Sequence, residues 1–474
     1  MKLGDIIKAG ELSQKEITGV TSDSRNVKPG NVFVCIKGRT SDGHEFARQA
    51  ADMGAAVIVA EHDTGMASQI IVEDTRKAYA EMCANYFGRP ADKLKLIGVT
   101  GTNGKTTVTF LIKQILEKSG KKSGLIGTIQ NMIGDRVLPA KYTTPDPYEL
   151  NSLFSLMLKS GCEYAVMEVS SQALDQQRVY GLKFAQAIFT NFTQDHLDYH
   201  GTLENYFAAK KMLFSMCDTA IINKDDPKAD ELISGIKCNV QTYSLNNAAA
   251  DFKAENVEIR ADGVSYDLIY DGKSKHIAAN LPGRFSVYNS LAAAASAYIA
   301  GIPAENVAKS ISQIGGVKGR MEIVPTGRDF TVIIDYAHTP DALENVCKAL
   351  CSIKSGRLVT LFGCGGNRDK GKRPKMAKTA AENSDFLIIT SDNPRNEEPG
   401  DIINDILAGL EGCSTPYAVV EDRIEAINYA IKNAHKDDII LLAGKGHETY
   451  QILKNNKIIE LDERKEVAKA LSNI

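Results

Sequence analysis

The segment from Ile97 to Thr107, IGVTGTNGKTT, has the residue types of a loop that binds phosphate. Gly101 and Gly104 would let backbone N–H groups approach phosphate oxygens, and Lys105 could reach the terminal phosphates of a nucleotide. The Thr106 hydroxyl could hold Mg²⁺. The general pattern, G-x-x-x-x-G-K-[ST], requires a glycine at position 99, where this sequence has valine. The segment therefore predicts a variant phosphate-binding loop, and a chance Gly-Lys-Thr turn is the alternative.

The elements on either side of this loop favour the phosphate-binding interpretation. Lys93–Thr100 is a short apolar run typical of a buried β-strand. Apolar residues recur at helical spacing from Val108 to Ile115, and Gly120 is a suitable end for that helix. A strand, a glycine-rich turn and a helix in this order form the context that such a loop requires.

Downstream of the loop, the chain alternates between strand and helix patterns. Tyr164–Ser170, Ala185–Phe192 and a run that begins at Thr219 are predicted buried strands, and an Ala-rich helix is predicted after Leu281. Strands that alternate with helices indicate a mostly parallel sheet. We expect an α/β protein of three domains, comprising residues 1–90, 91–317 and 318–474.

The third of these domains contains four predicted strands that each run into a polar loop. Their sequences are FTVIIDYAHTP, RLVTLFGCGGNRDKG, FLIITSDNPRNEEP and DIILLAGKGHETY. In an open α/β sheet, ligands bind beyond the carboxyl ends of the strands. Ordinary turns would account for the Gly, Asn and Pro residues but not for two Arg, a Glu and a His at the strand ends. The pattern therefore predicts a second ligand-binding surface.

Two short motifs suggest a GTPase, but their spacing argues against it. DYHG (Asp198–Gly201) and NKDD (Asn223–Asp226) resemble the D-x-x-G and N-K-x-D motifs of G domains. A G domain would need two helices and a strand within residues 202–222, although one helix alone averages about a dozen residues. We therefore exclude a GTP switch.

Composition and charge narrow the function class further. The chain has 474 residues, of which 43% are hydrophobic and 24% charged, an ordinary composition for a globular protein. Its formal net charge of -3 gives no general reason to bind nucleic acid or an anionic membrane. We find no signal-peptide pattern and no apolar run that could span a bilayer. The nine cysteines include no C-x-x-C pair, so we expect reduced thiols and a cytoplasmic location.

A set of motifs along almost the whole chain resembles the Mur ligase family. In order, they are TSDSR, GTNGKTT, TTPDP, MEVSSQALDQQR, NFTQDHLDYHG, YFAAKK, NSLAAA, GRME, DYAHTPD, GCGGNRDKGKRP, DNPR and GKGHE. The resemblance accounts for the displaced glycine as the family form of the loop. It implies a small N-terminal UDP-binding α/β domain, a central P-loop-type ATPase domain and a C-terminal Rossmann-like domain that binds an amino acid.

The same resemblance implies an ATP-dependent amide ligase of peptidoglycan precursor synthesis. Such an enzyme would phosphorylate the D-Glu side-chain carboxylate of UDP-MurNAc-L-Ala-D-Glu, and meso-2,6-diaminopimelate would attack the acyl phosphate. The implied partners are small-molecule substrates only, and a monomer is expected. The alternatives are an L-lysine-adding member and a folylpolyglutamate-type ligase, which would lack the UDP-binding domain and DNPR. A non-catalytic nucleotide-binding scaffold is a further alternative.

The resemblance also implies the residues that bind ATP and Mg²⁺. The implied ATP contacts are Gly101, Thr102, Asn103, Gly104, Lys105, Thr106, Thr107, Asn289, Arg320 and Asp335. The implied catalytic residues are Lys105, Lys210, Glu168 and His196, and the implied Mg²⁺ ligands are Thr106, Glu168, His196 and a CO₂-derived carbamate on Lys210. From residue types alone, Glu168 would be a cap or an ion-pair partner, His196 a core histidine and Lys210 a solvated helix lysine.

Two groups of substrate contacts follow from the same motifs. Those for the UDP-sugar peptide are Ser22, Ser24, Arg39, Thr40, Ser41, Thr143, Thr144, Ser170, Gln176 and Arg178. Those for diaminopimelate are Arg368, Asp392, Asn393, Pro394, Arg395, Gly444 and Glu448. Diaminopimelate differs from lysine by a distal carboxylate, which the planar fork of an arginine can bind with two hydrogen bonds. A turn with a surface arginine is the alternative for DNPR.

One residue departs from the family pattern. The family commonly has histidine in MEVSSHAL where this chain has Gln172. Glutamine can donate and accept hydrogen bonds but cannot ionise, so any role that needs an ionisable group there is in doubt.

Overall fold

The computed structural model describes residues 1–39, 41–260 and 263–473. Their strands form sheets of four, eleven, six and two strands, which follow one another along the chain. Short 3₁₀ turns occur at Leu3–Asp5, Gly10–Gln14, Ser24–Asn26, Gly43–Phe46, Pro90–Lys93, Met212–Ser215, Ala408–Leu410 and Lys454–Asn456. Among the described residues, no helix combines the length and apolar character that crossing a bilayer would require.

The first sheet is parallel and has the strand order β1-β2-β3-β4. Its strands are β1 (Gly19–Thr21), β2 (Asn31–Val34), β3 (Val57–Ala60) and β4 (Gln69–Ile71). Helices α1 (Ala47–Asp52) and α2 (Thr75–Tyr86) accompany it. Every residue of β2 and β3 is buried, as expected for central strands of a parallel sheet.

The second sheet has eleven strands. They are β5 (Lys95–Thr100), β6 (Ser123–Ile126), β7 (Asn131–Ile133), β8 (Arg136–Leu138), β9 (Tyr164–Glu168), β10 (Phe184–Phe189), β11 (Cys217–Asn223), β12 (Asn239–Ser244), β13 (Phe252–Arg260), β14 (Gly263–Tyr270) and β15 (Lys273–Ala279). Its helices are α3 (Lys105–Lys118), α4 (Pro147–Lys159), α5 (Ser171–Asp175), α6 (Leu197–His200), α7 (Leu203–Lys211), α8 (Ala229–Ser234), α9 (Arg284–Ile299) and α10 (Ala304–Ser312).

The strand order of this sheet is β15-β14-β13-β12-β11-β10-β5-β9-β6-β7-β8. The central pairs are parallel, which confirms the prediction for β5, β9, β10 and β11. Both edges are antiparallel, where β13–β15 and β6–β8 form meanders that the sequence patterns did not predict. The sheet is therefore mixed rather than purely parallel.

Strand β5 is buried on both faces. Ile97 and Val99 share a core with α3 and α9, whereas Leu96 belongs to the core on the opposite face. Gly98 faces Phe184, whose ring would lie 2.9 Å from a Cβ added there. Because packing fixes β5 from both sides, the loop that leaves its carboxyl end begins from a rigid base.

The third sheet has the strand order β16-β17-β21-β18-β19-β20 and is parallel except for β16. Its strands are β16 (Glu322–Val324), β17 (Thr331–Asp335), β18 (Leu358–Phe362), β19 (Phe386–Ile389), β20 (Tyr417–Val419) and β21 (Ile439–Ala443). Its helices are α11 (Pro340–Cys351), α12 (Lys372–Glu382), α13 (Pro399–Leu407), α14 (Arg423–Lys432) and α15 (Glu463–Ser472). A hairpin of β22 (Tyr450–Ile452) and β23 (Ile458–Glu460) follows β21.

The four strands predicted to carry polar loops are β17, β18, β19 and β21. They are neighbours in the parallel part of the third sheet, so their carboxyl ends share one edge. This arrangement confirms that the loops with DYAH, GGNRDK, DNPR and GKGHE meet at a common surface.

Candidate active site

The phosphate loop connects β5 to α3 and depends on two glycines. Gly101 has φ +143° and Gly104 has φ +87°, both favourable only for glycine. A Cβ at Gly101 would collide with the Thr190 hydroxyl, and one at Gly104 would lie 2.5 Å from Asn289 Oδ1. The backbone N–H of Asn103 donates to Asn191 Oδ1 at 2.8 Å. Neighbouring segments thus shape the loop from outside, as expected for a preformed cradle that fits phosphate.

Lys105 folds back over this loop. Its Nζ donates to the carbonyl oxygens of Gly101 and Thr102 at 2.9 and 2.8 Å. Burial lowers the pKa of Lys105, and the nearby Glu168 and Asp195 carboxylates oppose this effect. Among the described residues, the ammonium at the mouth of the loop donates its hydrogen bonds to neutral carbonyls, which a phosphate could replace.

Glu168 and Thr106 bring hard oxygen atoms together beside the loop. The Thr106 hydroxyl donates to Glu168 Oε2 at 2.9 Å, and the Thr128 N–H donates to Oε1 at 2.8 Å. Glu168 is only 1% exposed. Carboxylate and hydroxyl oxygens are the ligands that Mg²⁺ prefers, so the donor set fits that ion.

His196 immediately precedes α6 and has φ +52°. Its Nε2 is 3.4 Å from Asp195 Oδ2, and burial lowers its pKa, which favours the neutral imidazole that binds metals. Within the described residues, no three His, Cys, Asp or Glu side chains form a ready metal cluster. The predicted Mg²⁺ set would instead combine Glu168 and His196 with Thr106 and Lys210.

Lys210 on α7 is a buried lysine, not a solvated one. It is 2% exposed, its Nζ donates to the Gly101 carbonyl at 2.7 Å, and the amine lies 4.3 Å from the centre of the Tyr206 ring. Burial, reinforced by the charge of Lys105, holds its pKa well below the usual value. The alternative of a solvated helix lysine is therefore wrong for Lys210.

The predicted nucleotide contacts beyond the loop come from three segments, which are α9, the residues before β16 and the end of β17. Asn289 lies on α9 against Gly104, and Arg320 extends from before β16 to within 3.4 Å of the Thr106 hydroxyl. Arg320 also stacks on Tyr336 at 4.8 Å, and its buried Nε has no hydrogen-bond partner in the described part of the chain. Asp335 accepts hydrogen bonds from backbone N–H groups, and burial raises its pKa.

One large cavity, with a volume of about 1370 Å³, joins most of these groups. Its lining includes Thr102–Thr107, Glu168, His196, Lys210, Asn289, Arg320 and Asp335, together with Thr143, Thr144, Ser170, Arg178 and Glu448. The predicted contacts Ser22, Ser24, Arg39, Ser41, Gln176, Arg368, Asp392, Asn393, Pro394, Arg395, Gly101 and Gly444 do not line it. Thr40 lies outside the described residues.

Some of the residues predicted for the sugar peptide form a hydrogen-bonded network on the central sheet, namely Thr144, Ser170, Gln176 and Arg178. The Thr144 hydroxyl donates to the Glu168 carbonyl at 2.9 Å, and Arg178 donates to the Thr144 carbonyl at 2.8 Å. Arg39 extends from the first sheet, donates to the Asp198 carbonyl at 3.3 Å and stacks on Tyr199. This network connects the N-terminal segment to the loop that carries His196.

The DNPR and GGNRDK loops place two arginines together. A Cβ at Gly365 would lie 2.9 Å from Arg395 Nη1 and 3.7 Å from Arg368 Cγ. Arg395 Nη1 donates to the Gly366 carbonyl at 2.9 Å. Burial lowers the pKa of Arg395, and the charge of Arg368 adds to this effect. In the described ranges, no carboxylate lies within 4.0 Å of either guanidinium, so the pair is suited to an anionic ligand.

Several charged residues at this edge escaped prediction. Asp341 accepts hydrogen bonds from Asn103 and Thr193 at 2.9 and 3.0 Å, which ties the third sheet to the phosphate loop. Arg423 and Glu463 form a fully buried ion pair at 2.8 Å. Asp341 follows Thr-Pro, and Arg423 and Glu463 lie in amphipathic helices. Charged residues are common at such positions, so the sequence pattern did not indicate these contacts.

The GTPase-like motif NKDD has a structural role instead. Asn223 ends β11 and donates to the Thr190 carbonyl at 2.8 Å. Asp226 accepts from the Phe192 N–H at 2.7 Å. The NKDD segment thus supports the loop behind Gly101, in agreement with the exclusion of a GTP switch.

A buried ion pair fastens the two arginine loops to α12. Arg373 is fully buried and makes two hydrogen bonds of 3.0 Å to Glu397. It also donates to the Gly365 carbonyl at 3.3 Å. These bonds lower the pKa of Glu397 to about 2. Arg373 therefore holds both loops that carry the arginine pair.

Replacing Glu397 with glutamine should destabilise the fold by about 1–3 kcal/mol near neutral pH, because Arg373 loses a charged partner. Because folding lowers the pKa of Glu397, its ionised carboxylate stabilises the folded state fully at pH values above the unfolded-state pKa of 4.5. This stabilisation is lost as the pH falls towards 2. The difference between the two proteins in urea unfolding should therefore shrink as the pH falls below 4.5. Glu398→Gln, whose partner Lys454 is exposed, is the control and should change little. A difference independent of pH from 7 to 3 would contradict this prediction.

Comparisons with known proteins agree with this geometry along the whole chain. Residues 16–87 match the Mur ligase family catalytic domain, residues 99–297 the Mur ligase middle domain, and residues 319–446 the glutamate ligase domain of Mur ligases. The UDP-N-acetylmuramoyl-L-alanyl-D-glutamate--2,6-diaminopimelate ligase of Caldanaerobacter subterraneus subsp. tengcongensis is 46% identical, with 100% of this chain and 99% of that protein covered. The protein of the same name from Listeria monocytogenes serotype 4b is 44% identical, with 99% of each chain covered.

A solved structure of a UDP-N-acetylmuramoyl-L-alanyl-D-glutamate--2,6-diaminopimelate ligase is similar to this chain, with a TM-score of 0.72 and 32% identity. The match covers 100% of this chain and 99% of that one. The phosphate loop, the sheet before it and the sheet after it thus all fall within one continuous match, and the chain belongs to the Mur ligase family.

Proposed function

We propose that this chain is an ATP-dependent amide ligase that joins meso-2,6-diaminopimelate to UDP-MurNAc-L-Ala-D-Glu. The observation that carries the proposal is the single cavity of about 1370 Å³, lined by the phosphate loop Thr102–Thr107 and by Glu448 from the third sheet. A carboxylate placed there can meet a phosphate donor on one side and an amine on the other. This geometry suits a reaction through an acyl phosphate.

The phosphate loop and the residues around it would bind ATP. We assign the ATP phosphates to Gly101–Thr107 and Arg320, and the nucleoside to Asn289 and Asp335. ATP and Mg²⁺, when bound, supply the transferable phosphoryl group and offset its negative charge. Lys105 and Arg320 would hold the phosphates and the substrate carboxylate near each other despite their repulsion.

The acceptor and the amine would enter from opposite sides of the cavity. We assign the muramoyl peptide to Thr143, Thr144, Ser170 and Arg178, and the UDP group to the N-terminal unit. The remaining proposed contacts of that acceptor are Ser22, Ser24, Arg39, Thr40, Ser41 and Gln176. Arg368 and Arg395 would bind the carboxylates of diaminopimelate, and Glu448 with the Gly444 carbonyl would hold its distal ammonium.

The proposal includes the organisation of the protein and its setting. We propose domains at residues 1–90, 91–317 and 318–474, which bind UDP, ATP and the amino acid respectively. We further propose a cytoplasmic monomer that acts on small molecules in peptidoglycan precursor synthesis, without nucleic-acid or membrane partners.

The function can be tested by an amine panel assayed by phosphate release. With ATP, Mg²⁺ and UDP-MurNAc-L-Ala-D-Glu, release should require meso-diaminopimelate and be slow with L-lysine or with no amine. Omission of the muramoyl peptide should abolish release. Turnover with a folate and glutamate in place of these substrates would favour the folylpolyglutamate alternative and contradict the proposal.

We also propose that Lys210 carries a carbamate. Its amine is buried beside the loop, where an ammonium would repel Mg²⁺, whereas carbamate oxygens suit a hard cation. The neutral amine attacks CO₂ at carbon, forms an N–C bond and releases one proton, which gives the carbamate.

Lys210→Ala should therefore be nearly inactive in phosphate release and partly rescued by a short-chain carboxylate that replaces the carbamate oxygens. Lys211→Ala is the matched control, because the Lys211 amine lies 5.6 Å from the centre of the Phe207 ring, and this variant should keep near-normal turnover. Failure of rescue, together with crystal density that ends at the ammonium in a ligand-bound form at mildly alkaline pH, would contradict the carbamate.

A further inference from the structure

Lys445, in the GKGHE loop, is a buried charge that the proposed reaction leaves without a role. It follows β21 between two glycines, and its side chain is 0% exposed. Its Nζ donates to Glu448 Oε2 at 3.0 Å and to Asn393 Oδ1 at 3.1 Å. A lysine is rarely buried without paired partners, so these two contacts define its environment.

Asn393 completes a triangle between the DNPR and GKGHE loops. Its Oδ1 also accepts from the Ile452 N–H at 2.9 Å, which fixes the orientation of the amide. Its Nδ2 donates to Glu448 Oε2 at 3.0 Å. Lys445 and Asn393 therefore donate to the same oxygen of Glu448.

The second oxygen of Glu448, Oε1, differs from Oε2 in its hydrogen bonding. Over the described ranges, no hydrogen bond reaches Oε1, and Glu448 lines the large cavity. A carboxylate with one oxygen held by two donors keeps a defined orientation and can offer the second oxygen to a cation in the cavity.

We infer that Lys445 is a positioning residue that sets the orientation of Glu448 towards the distal ammonium of the amine substrate. The inference rests on the proposed function, because only a diamino acid with a distal ammonium needs this contact. Lys445 and Asn393 would thereby make the site selective for that ammonium, separately from the arginines that select the distal carboxylate.

A purely structural role for Lys445 is the competing explanation, and the buried Arg423–Glu463 pair weighs against it. Arg423 donates to the carbonyls of Ser391 and Ala443 at 3.2 and 2.8 Å, which are the last residues before the two loops. The strand ends are thus already joined without Lys445.

The test compares meso-diaminopimelate with L-2-aminopimelate, which keeps the distal carboxylate but lacks the distal ammonium. The readout is kcat/KM for diaminopimelate divided by kcat/KM for 2-aminopimelate, both measured by phosphate release with the full-length enzyme. In Lys445→Met this ratio should fall about 10- to 100-fold, mainly through KM for diaminopimelate, because a misplaced contact group costs up to about that factor. KM for ATP should stay unchanged.

Two further variants separate positioning from general damage. Glu448→Gln should lower the same ratio, and adding Lys445→Met to it should lower the ratio little more, because both act on one contact. Arg357→Met is the matched control. It breaks the 2.6 Å pair with buried Asp438 at the opposite end of the same sheet, so it should lower stability without changing the ratio.

The outcomes are distinguishable. If the unmodified enzyme uses diaminopimelate and 2-aminopimelate equally well, Glu448 holds no ammonium, and the inference fails together with that part of the proposed function. If the unmodified enzyme prefers diaminopimelate and Lys445→Met retains the full preference, the inference alone fails. Should Lys445→Met not fold, as judged by circular dichroism, Lys445→Ala, which also lacks a side-chain donor, is measured in its place, and a retained ratio would again overturn the inference.

Discussion

Replacing Lys105 with alanine is expected to lower phosphate release by on the order of 10³-fold or more while the protein stays folded. The ammonium of Lys105 lies at the mouth of the phosphate loop and, in the part of the chain that the structure describes, donates to the carbonyls of Gly101 and Thr102. These acceptors are neutral, and the ammonium forms no ion pair within 4.0 Å among the described residues, so stability should change little. The loss should appear in kcat, because the charge on the transferring phosphoryl group would lose a stabilising partner.

The control for Lys105→Ala lies on the same helix. Lys118 ends α3, and its Nζ has only a long contact of 3.4 Å with Gln313. Lys118→Ala should keep near-normal turnover and a similar thermal midpoint. Near-normal turnover in Lys105→Ala would show that the phosphate assignment is wrong.

Lysine is expected to be a very poor substrate compared with meso-diaminopimelate. The side chains of Arg368 and Arg395 both pass close to Gly365, and with lysine one of the two arginines would face the site without an anion. A site built for a polar group rejects an analogue that lacks it by factors on the order of 10⁴–10⁵ in favourable cases. The measurement is kcat/KM for each amine in the unmodified enzyme. Comparable values would overturn the specificity while leaving the ligase assignment intact.

Arg395→Ala tests the same contact from the protein side. It should raise KM for diaminopimelate about 10- to 100-fold, the range for a lost hydrogen bond to a charged group, and raise KM for ATP far less. Arg328→Ala, on an exposed loop before β17, is the control and should leave both constants unchanged. Equal increases in both constants would indicate that Arg395 supports the fold rather than the amine.

Local signals were enough to predict the elements that carry the chemistry. The apolar run before Gly101 and the helical spacing after Gly104 correspond to β5 and α3, and α3 ends before Gly120 as expected. The four strand ends of the third sheet were also predicted, because each buried strand is a continuous apolar run. Apolar runs and helical spacing can be recognised within short stretches of sequence.

The meander β13–β15 shows why other parts could not be predicted. Phe252–Arg260 alternates only weakly, and much of it is exposed. Its strand character depends on pairing with β12 and β14, which no local window reveals.

The buried charges are hidden for a similar reason. Lys445 stands between glycines like any turn lysine, and Arg423 follows the N-cap of an amphipathic helix like any surface arginine. That both point inward depends on contacts with residues distant in sequence, such as Asn393 and Glu463. The roles assigned to the individual site residues remain predictions.

The Arg423–Glu463 pair also has a consequence for how the protein acquires its site. Arg423 joins Ser391, Ala443 and Glu463, partners that lie 32, 20 and 40 positions away in sequence. Such long-range contacts form late in folding, because distant segments must meet before any of them is stabilised. Glu463 begins α15, so Arg423, which bonds the residues just before the DNPR and GKGHE loops, obtains its charged partner only after that helix has docked. A nascent chain that has not yet produced α15 would already contain the complete phosphate loop but not a finished amine site.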